Sequence, residues 1–253
     1  MTTAHGSDSW TAAVRRRLDL GRLLPLGGAA DGTWLAEHAA AVELRRAAAE
    51  VPGTVLGAVR LSPADPDAAE ESPVPPPPSA LPPGRLRIEA EFGEEFTDMT
   101  DEPLPAVADR LRAVLFDCAT RRLGLRIAEI DLRVTALLER AAEPAGETAP
   151  RHTEPTEPVE PVELRAATPE GEAALTAASV PGVACLTRTL GTAVAGTPGH
   201  VRIELATAAG HRPLEVARAV RKRVAAGVPG GPSVAVLITA VNVAVDVAVD
   251  VAP

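Results

Sequence analysis

Val51-Pro52-Gly53 is repeated as Val180-Pro181-Gly182, and three further pairs of short segments follow in the same order. These pairs are Arg87-Ile88-Glu89 with Arg202-Ile203-Glu204, Val107-Ala108 with Val216-Ala217, and Val134-Thr135-Ala136-Leu137 with Ile238-Thr239-Ala240-Val241. The offset falls from 129 residues (51 to 180) to 104 (134 to 238), so the first copy carries extra length. Loops tolerate such insertions, and an ordered set of matches predicts an internal duplication.

Each copy predicts the order helix, strand, strand, helix, strand. Apolar spacings of three and four indicate the helices, and alternation of apolar with polar residues indicates the strands. The first copy predicts a helix over Leu35 to Glu50, a second helix from Leu104 that Gly124 ends, and strands over Val55 to Leu61, Leu86 to Phe92 and Ile130 to Leu138. The second predicts helices over Glu170 to Ser179 and Pro213 to Val224, and strands over Val183 to Leu190, Val201 to Ala206 and Ser233 to Val241. The predicted fold class is α+β, with two tandem modules, each a three-stranded sheet covered on one face by two helices around its own core.

Two proline-rich segments interrupt this pattern. One contains Pro75 to Pro78, and the other carries Glu-Pro pairs at three-residue spacing from Glu154 onward. Such sequences favour solvated polyproline II, so we expect an extended loop and a stiff acidic spacer. The predicted organisation is an N-terminal amphipathic helix and lead-in (1–32), a first module (33–138) with a proline-rich insertion (62–84), an acidic Glu-Pro linker (139–165), a second module (166–243) and a Val-rich tail (244–253).

The net charge of -9 is concentrated in the proline-rich segments, because residues 139–172 carry -6 and residues 62–84 carry -4. The predicted modules are therefore close to neutral. With three Phe, two Trp and no Tyr, the chain has little material for base stacking or an aromatic cage. Cys118 and Cys185 form neither a disulfide pattern nor a metal-binding spacing. No secretory or membrane-spanning pattern is present, so we expect a cytoplasmic chain whose membrane association, where it occurs, is through a partner.

Motifs that carry chemistry are missing from the sequence. It has no phosphate-binding loop, no paired-cysteine motif, no His-Glu-x-x-His and no nucleophile elbow. The five histidines are scattered over termini, linker and element ends. We therefore expect a protein that is not an enzyme and that uses no cofactor or metal.

The second helix of each copy carries a cluster of cations, which is the candidate site for partner binding. Docking on an anionic partner, whether an acidic protein, a nucleic acid or a lipid headgroup layer, is one interpretation, and an ordinary solvated helix face is the other. Without aromatic residues or a nucleic-acid motif, the nucleic-acid version is the weaker one. The candidate residues are Arg110, Arg112, Arg121, Arg122, Arg218, Arg221, Lys222 and Arg223.

Both termini carry further patterns. From Asn242 to Val251, Val alternates with Asn, Ala or Asp, and a strand that began at Ser233 would reach about 19 residues, against a usual 3 to 10. The tail either pairs with the sheet edge of another chain or is a frayed terminus. Trp10 to Leu20 predicts a short Arg-rich amphipathic helix that packs on the first module or lies on a membrane surface.

The order of these motifs resembles the alkaline shock / general stress envelope protein family of Gram-positive bacteria. The resemblance is carried by Gly32-Thr33-Trp34, by Ala177-Ala178-Ser179-Val180-Pro181-Gly182-Val183 and by Ser233-Val234-Ala235-Val236-Leu237-Ile238, and it covers residues 33–138 and 166–243. Tandem versions split by proline are similar to an uncharacterised actinomycete group. The resemblance implies a non-enzymatic, cytoplasmic, often membrane-tethered protein that self-assembles and supports the cell envelope under stress.

The sequence thus favours a non-catalytic scaffold that associates with itself or docks on a membrane-anchored protein. The alternative is binding of an anionic ligand or nucleic acid through the basic second helices, for which affinity would fall steeply with salt. We expect no small-molecule substrate.

Overall fold

A computed structural model describes residues 20–96, 103–139 and 164–244 of the 253-residue chain. In these residues the fold is mixed α+β, with four α-helices and sheets of seven and three strands, which confirms the predicted class. The helices are α1 (Glu37–Ala48), α2 (Leu104–Asp117), α3 (Glu172–Ala178) and α4 (Pro213–Gly227). The strands are β1 (Leu23–Pro25), β2 (Thr33–Ala36), β3 (Thr54–Pro63), β4 (Leu86–Phe96), β5 (Ile127–Glu139), β6 (Ala166–Ala167), β7 (Val183–Thr187), β8 (Val194–Thr197), β9 (His200–Ala208) and β10 (Ser233–Val243).

The three-stranded sheet belongs to the N-terminal half, residues 20–139, and has the order β3-β4-β5. β3 is antiparallel to β4, and β4 is parallel to β5, with Ile88 opposite Ile130. α2 connects the two parallel strands, and Pro105 lies in its first turn, where the missing N–H breaks no helical hydrogen bond. Leu111 and Leu115 of α2 are fully buried, as their spacing predicts.

The C-terminal half, residues 164–244, contains the same succession of strand directions. β7 is antiparallel to β9, and β9 is parallel to β10, with α4 as the connection and Pro213 as its first residue. The strand predicted to reach Leu190 ends at Thr187, because the carboxylate of Glu204 takes the N–H groups of the following loop. β8 then pairs with β9 as a short hairpin.

The sheet of the C-terminal half has seven strands where three were predicted. β1 lies in the predicted lead-in and β2 at the start of the predicted first module, and β2 pairs in parallel with β10, with Trp34 opposite Leu237. Leu35 therefore lies in β2 rather than in the first helix, which begins at Glu37. Both strands are short and buried at every position, so they show no alternation that a sequence could reveal.

The buried side chains form one continuous cluster, whereas the sequence predicted a separate core for each module. Trp34, Leu44, Leu111 and Leu237, from both halves, belong to this cluster. α1 follows β2 without a loop and packs on β10 as well as on β3 and α2. Because α1 contacts both sheets, the two halves share their interior.

The proline-rich insertion packs on the fold, which corrects the prediction of a solvated loop. Val74 is 2% exposed, and Pro77 and Pro83 are also buried. The N–H of Leu81 donates to the carbonyl of Leu23 in β1 at 2.8 Å, and the Leu23 N–H donates to the Ser79 carbonyl at 3.4 Å. The insertion thus covers the outer edge of β1.

β10 ends at Val243, well short of the 19 residues that the Val pattern would allow. Asn242 has a φ of 56°, in the left-handed region that asparagine tolerates, and its Nδ2 donates to Oε2 of Glu43 at 2.6 Å. Three predicted segments lie outside the described residues. They are the helix over Trp10 to Leu20, except for Leu20 itself, the central part of the Glu-Pro linker, and the tail beyond Ala244.

Candidate interaction surfaces

Four of the predicted docking arginines belong to α2 or to the turn of π-helix that follows it, Cys118–Leu123. They have partners within the molecule. The ion pairs join Arg112 to Asp109, Arg121 to Asp117 and Arg122 to Glu50, at 2.5, 3.2 and 2.8 Å. Arg110 also has an interaction partner. The pair between Arg122 and Glu50 has two hydrogen bonds, which lower the pKa of the Glu50 carboxyl. Most of this positive charge is therefore balanced locally, although exposed pairs of this kind bind weakly.

Two arginines predicted on the outer surface of α4 instead hold α4 to the N-terminal half. Arg218 donates from Nε and Nη2 to the two carboxylate oxygens of Asp31 at 2.8 and 2.9 Å. Arg221 donates to the carbonyls of Ala30 and Val234, both at 2.8 Å. Burial would raise the pKa of Asp31, but the hydrogen bonds from Arg218 and from the Gly28 N–H outweigh it and lower the pKa. These two arginines are structural ties.

Lys222 and Arg223, the remaining two predicted residues, have no ion-pair partner within the described part of the chain. They border a cavity of about 470 Å³ between α3 and α4, whose other lining residues are Thr176, Ala219, Ala226 and Gly227. Leu175, next to Thr176, is 59% exposed. This cavity is a small, mostly apolar groove with two cations at its border, and we call it the α3–α4 groove.

The outer face of the three-stranded sheet is a second open surface, and it carries charges of both signs. A cavity of about 780 Å³ lies over Arg60 of β3, over Arg87, Glu89 and Glu91 of β4 and over Asp131 and Arg133 of β5. Arg87 lies among three acids, at 2.5 Å from Asp131, 3.5 Å from Glu129 and 3.8 Å from Glu89. Its hydrogen bond to Asp131 raises the pKa of the Arg87 guanidinium. The sequence predicted no site on this face, although the alternation of charged with apolar residues in β4 and β5 is a visible signal.

A buried acid fastens the loop after β7 to β9. The side chain of Glu204 is fully buried and accepts hydrogen bonds from the N–H groups of Thr189 and Leu190, both at 3.0 Å, and from Arg202 at 3.2 Å. Burial raises the pKa of Glu204 despite these bonds. Because these contacts hold the loop and the strand, the arrangement is structural.

The remaining reactive groups have structural surroundings as well. Burial raises the pKa of the Cys118 thiol to about 11, so at neutral pH it is protonated and a poor nucleophile. Over residues 20–96, 103–139 and 164–244, no group of three or more His, Cys, Asp or Glu side chains is arranged to hold a metal ion. Within the same residues, no helix is both long enough and apolar enough to cross a bilayer.

Comparison of the chain with protein-family models, with curated proteins and with solved structures gave no match. The fold and the surface together define a mixed α+β protein with two open surface cavities.

Proposed function

We propose that this chain is a non-catalytic scaffold of the cell-envelope stress type that associates with itself or docks on a membrane-bound protein. The observation that carries the proposal is the α3–α4 groove, whose two cations have no partner within the described residues. Two other cations of α4, Arg218 and Arg221, are instead tied to the rest of the molecule. An apolar groove bordered by cations without ion-pair partners suits recognition of another protein.

We further propose that the two halves are copies of one module. The recurrence of an antiparallel pair followed by a parallel pair, in β3-β4-β5 and in β7-β9-β10, supports this. So does the place of α2 and α4, each of which connects the parallel strands of its half. In this scheme β1 and β2 are strands outside the repeated unit that extend the sheet of the second copy.

The chemistry of the α3–α4 groove selects the partner. Its small lining residues, Ala219, Ala226 and Gly227, admit a closely packed apolar side chain. Lys222 and Arg223 at its border favour carboxylates. The preferred occupant is therefore an acidic protein segment with apolar anchors.

Purification of the tagged full chain from its native cells, with separation of membrane and soluble fractions, tests this function. We expect a membrane protein to accompany the wild type and to be lost from a Lys222→Glu/Arg223→Glu variant. Arg85→Glu, at an exposed arginine of the other half, is the matched control and should retain the partner. Recovery of wild type only in the soluble fraction, without a membrane protein, would contradict docking on a membrane-bound partner.

The same double variant distinguishes the alternative function. If the chain binds RNA or duplex DNA with an affinity that falls steeply with salt, and the variant abolishes that binding, the groove is an anion site and the scaffold proposal is wrong.

A further inference from the structure

The edges of the two sheets differ in how they are covered. In the seven-stranded sheet, β1 is covered by residues 79–81 of the proline-rich insertion, and β6 at the other end has only two residues. An open edge invites pairing with another strand, and short or covered edges prevent it. The seven-stranded sheet is thus protected at both ends of its strand order.

The β3 edge of the three-stranded sheet is capped by side chains. The Leu61 N–H donates to Oε1 of Glu37 at 3.0 Å, the Leu61 carbonyl accepts from Arg22, and the Gly57 carbonyl accepts from Arg45 at 3.3 Å. Burial would raise the pKa of Glu37, but the bonds from Arg22 and Leu61 lower it, so the cap is ionised at neutral pH. Another strand would have to displace this cap.

Two edges remain, the four-residue β8, which pairs only with β9, and β5, which is 13 residues long. Within the described residues no strand pairs with its outer side, and the bond there is from Arg112 Nε to the Ile130 carbonyl at 3.3 Å. Backbone groups alternate in direction along a strand, so Leu132 and Val134 present theirs on the same side as Ile130. In the part of the chain that the structure describes, β5 therefore offers a row of donors and acceptors that no other strand covers.

The side chains of β5 are complementary to a second copy of themselves. In an antiparallel pair centred on Leu132, Asp131 lies opposite Arg133 of the other copy, and the reverse pair forms as well. On the inner side, Ile130 lies opposite Val134. Val134 is 38% exposed, and Arg133 has no ion-pair partner among the described residues. The pairing would bury Val134 and give Arg133 an ion-pair partner.

α2 adds an apolar contact beside this edge. Arg112 of α2 reaches the β5 edge at Ile130, and Phe116 follows four residues later on the same side of the helix. Phe116 is 47% exposed, an unusual position for a phenylalanine in a chain with three. A second copy placed on β5 would bring its own α2 toward this side chain.

We propose that two copies of this chain pair through their β5 edges, antiparallel and about a twofold axis at Leu132, and form one continuous six-stranded sheet. The proposal rests on the scaffold function and names its self-association surface. The β5 edge and the α3–α4 groove consist of different residues, so dimerisation and partner docking can be tested independently.

Light scattering after size-exclusion chromatography of the full chain, over a wide range of concentration, tests the dimer with charge-swap variants. Asp131→Arg alone and Arg133→Asp alone each place like charges opposite one another twice, and each should weaken dimerisation at least about tenfold. An equimolar mixture of the two variants restores both pairs and should recover dimers. Lys222→Glu/Arg223→Glu should dimerise as wild type does, even if it loses its membrane partner.

A monomeric wild type at every concentration, or a mixture no more dimeric than its components, overturns the proposal. Because Asp131→Arg also removes the contact with Arg87, a second measurement uses unmodified protein. Amide hydrogen exchange at Leu132 and Val134 should slow as concentration rises. Exchange there that is independent of concentration contradicts the β5 pairing and leaves partner docking at the α3–α4 groove unaffected.

Discussion

β5 and β10 have matching sequences and opposite surroundings. Val134 of β5 and Ile238 of β10 are the first residues of the aligned segments, yet Val134 is 38% exposed and Ile238 is fully buried. β10 lies between β2 and β9, whereas β5 pairs only with β4 in the described residues. Local sequence therefore decides that both form strands, and the neighbours decide what each strand contributes.

The difference arises because β1 and β2, from the N-terminal half, belong to the seven-stranded sheet of the C-terminal half. β2 pairs with β10, and α4 is held to the turn after β1 by Arg218 and Arg221. No corresponding segment pairs with β5 in the part of the chain that the structure describes. The C-terminal half consequently has its core completed by the other half, and the N-terminal half keeps an open edge and an open sheet face.

The largest expected effect separates these two strands directly. Ile238→Ala removes a fully buried side chain and should lower the free energy of unfolding by about 2–5 kcal/mol. Val134→Ala, at the corresponding position of β5, should lower it by less than about 1 kcal/mol. Denaturant unfolding at matched protein concentration measures both, and equal losses would contradict the assignment of β10 as central and β5 as an edge.

The sequence predicts elements whose pattern is local. α2 is observed over Leu104–Asp117, close to its prediction, because apolar spacings of three and four fix both its period and its buried side. β2 was missed because its four residues are all buried and merge with the helical pattern that follows. Its pairing with β10, some 200 residues away, has no local signal.

The candidate residues show the same limit. Helical periodicity placed Arg218 on an outer surface of α4, but the carboxylate that binds it, Asp31, is 187 residues away in sequence. Glu50 similarly neutralises Arg122 from a distance of 72 residues. A single sequence does not reveal such partners, so it could not separate these ties from Lys222 and Arg223.

A smaller difference in the free energy of unfolding is expected between loss of the Asp31–Arg218 tie and loss of an exposed ion pair. Asp31→Asn weakens two charged hydrogen bonds at a mostly buried carboxylate and should cost about 1–3 kcal/mol. Glu50→Gln removes the exposed pair with Arg122 and should change stability much less. Thermal unfolding at neutral pH checks both variants, and a larger loss for Glu50→Gln would mean that the halves are not held together at Asp31.

The pH dependence of the Asp31 tie follows from its lowered pKa. Its stabilisation is complete above the pKa of an unfolded aspartate, about 3.9, and is lost as pH falls through the lower folded value. Wild type and Asp31→Asn should therefore converge in stability in acid, while the difference persists at neutral pH.

The smallest expected effect is a difference in the pH dependence of stability between two glutamates, half-buried Glu37 in the N-terminal half and buried Glu204 in the C-terminal half. The pKa of Glu204 is raised by burial, so the folded state binds that proton more tightly, and stability falls as pH rises from about 4.3 through the raised value. The pKa of Glu37 is lowered, so its contribution is lost as pH falls below about 4.3. Glu204→Gln should therefore remove a decline of stability with rising pH, and Glu37→Gln should remove a decline with falling pH. Denaturant titrations across this pH range measure how the free energy of unfolding of each variant changes with pH. A constant loss of stability from the substitution does not affect that slope. If both substitutions changed the slope in the same direction, the two carboxylates would not have oppositely shifted pKa values.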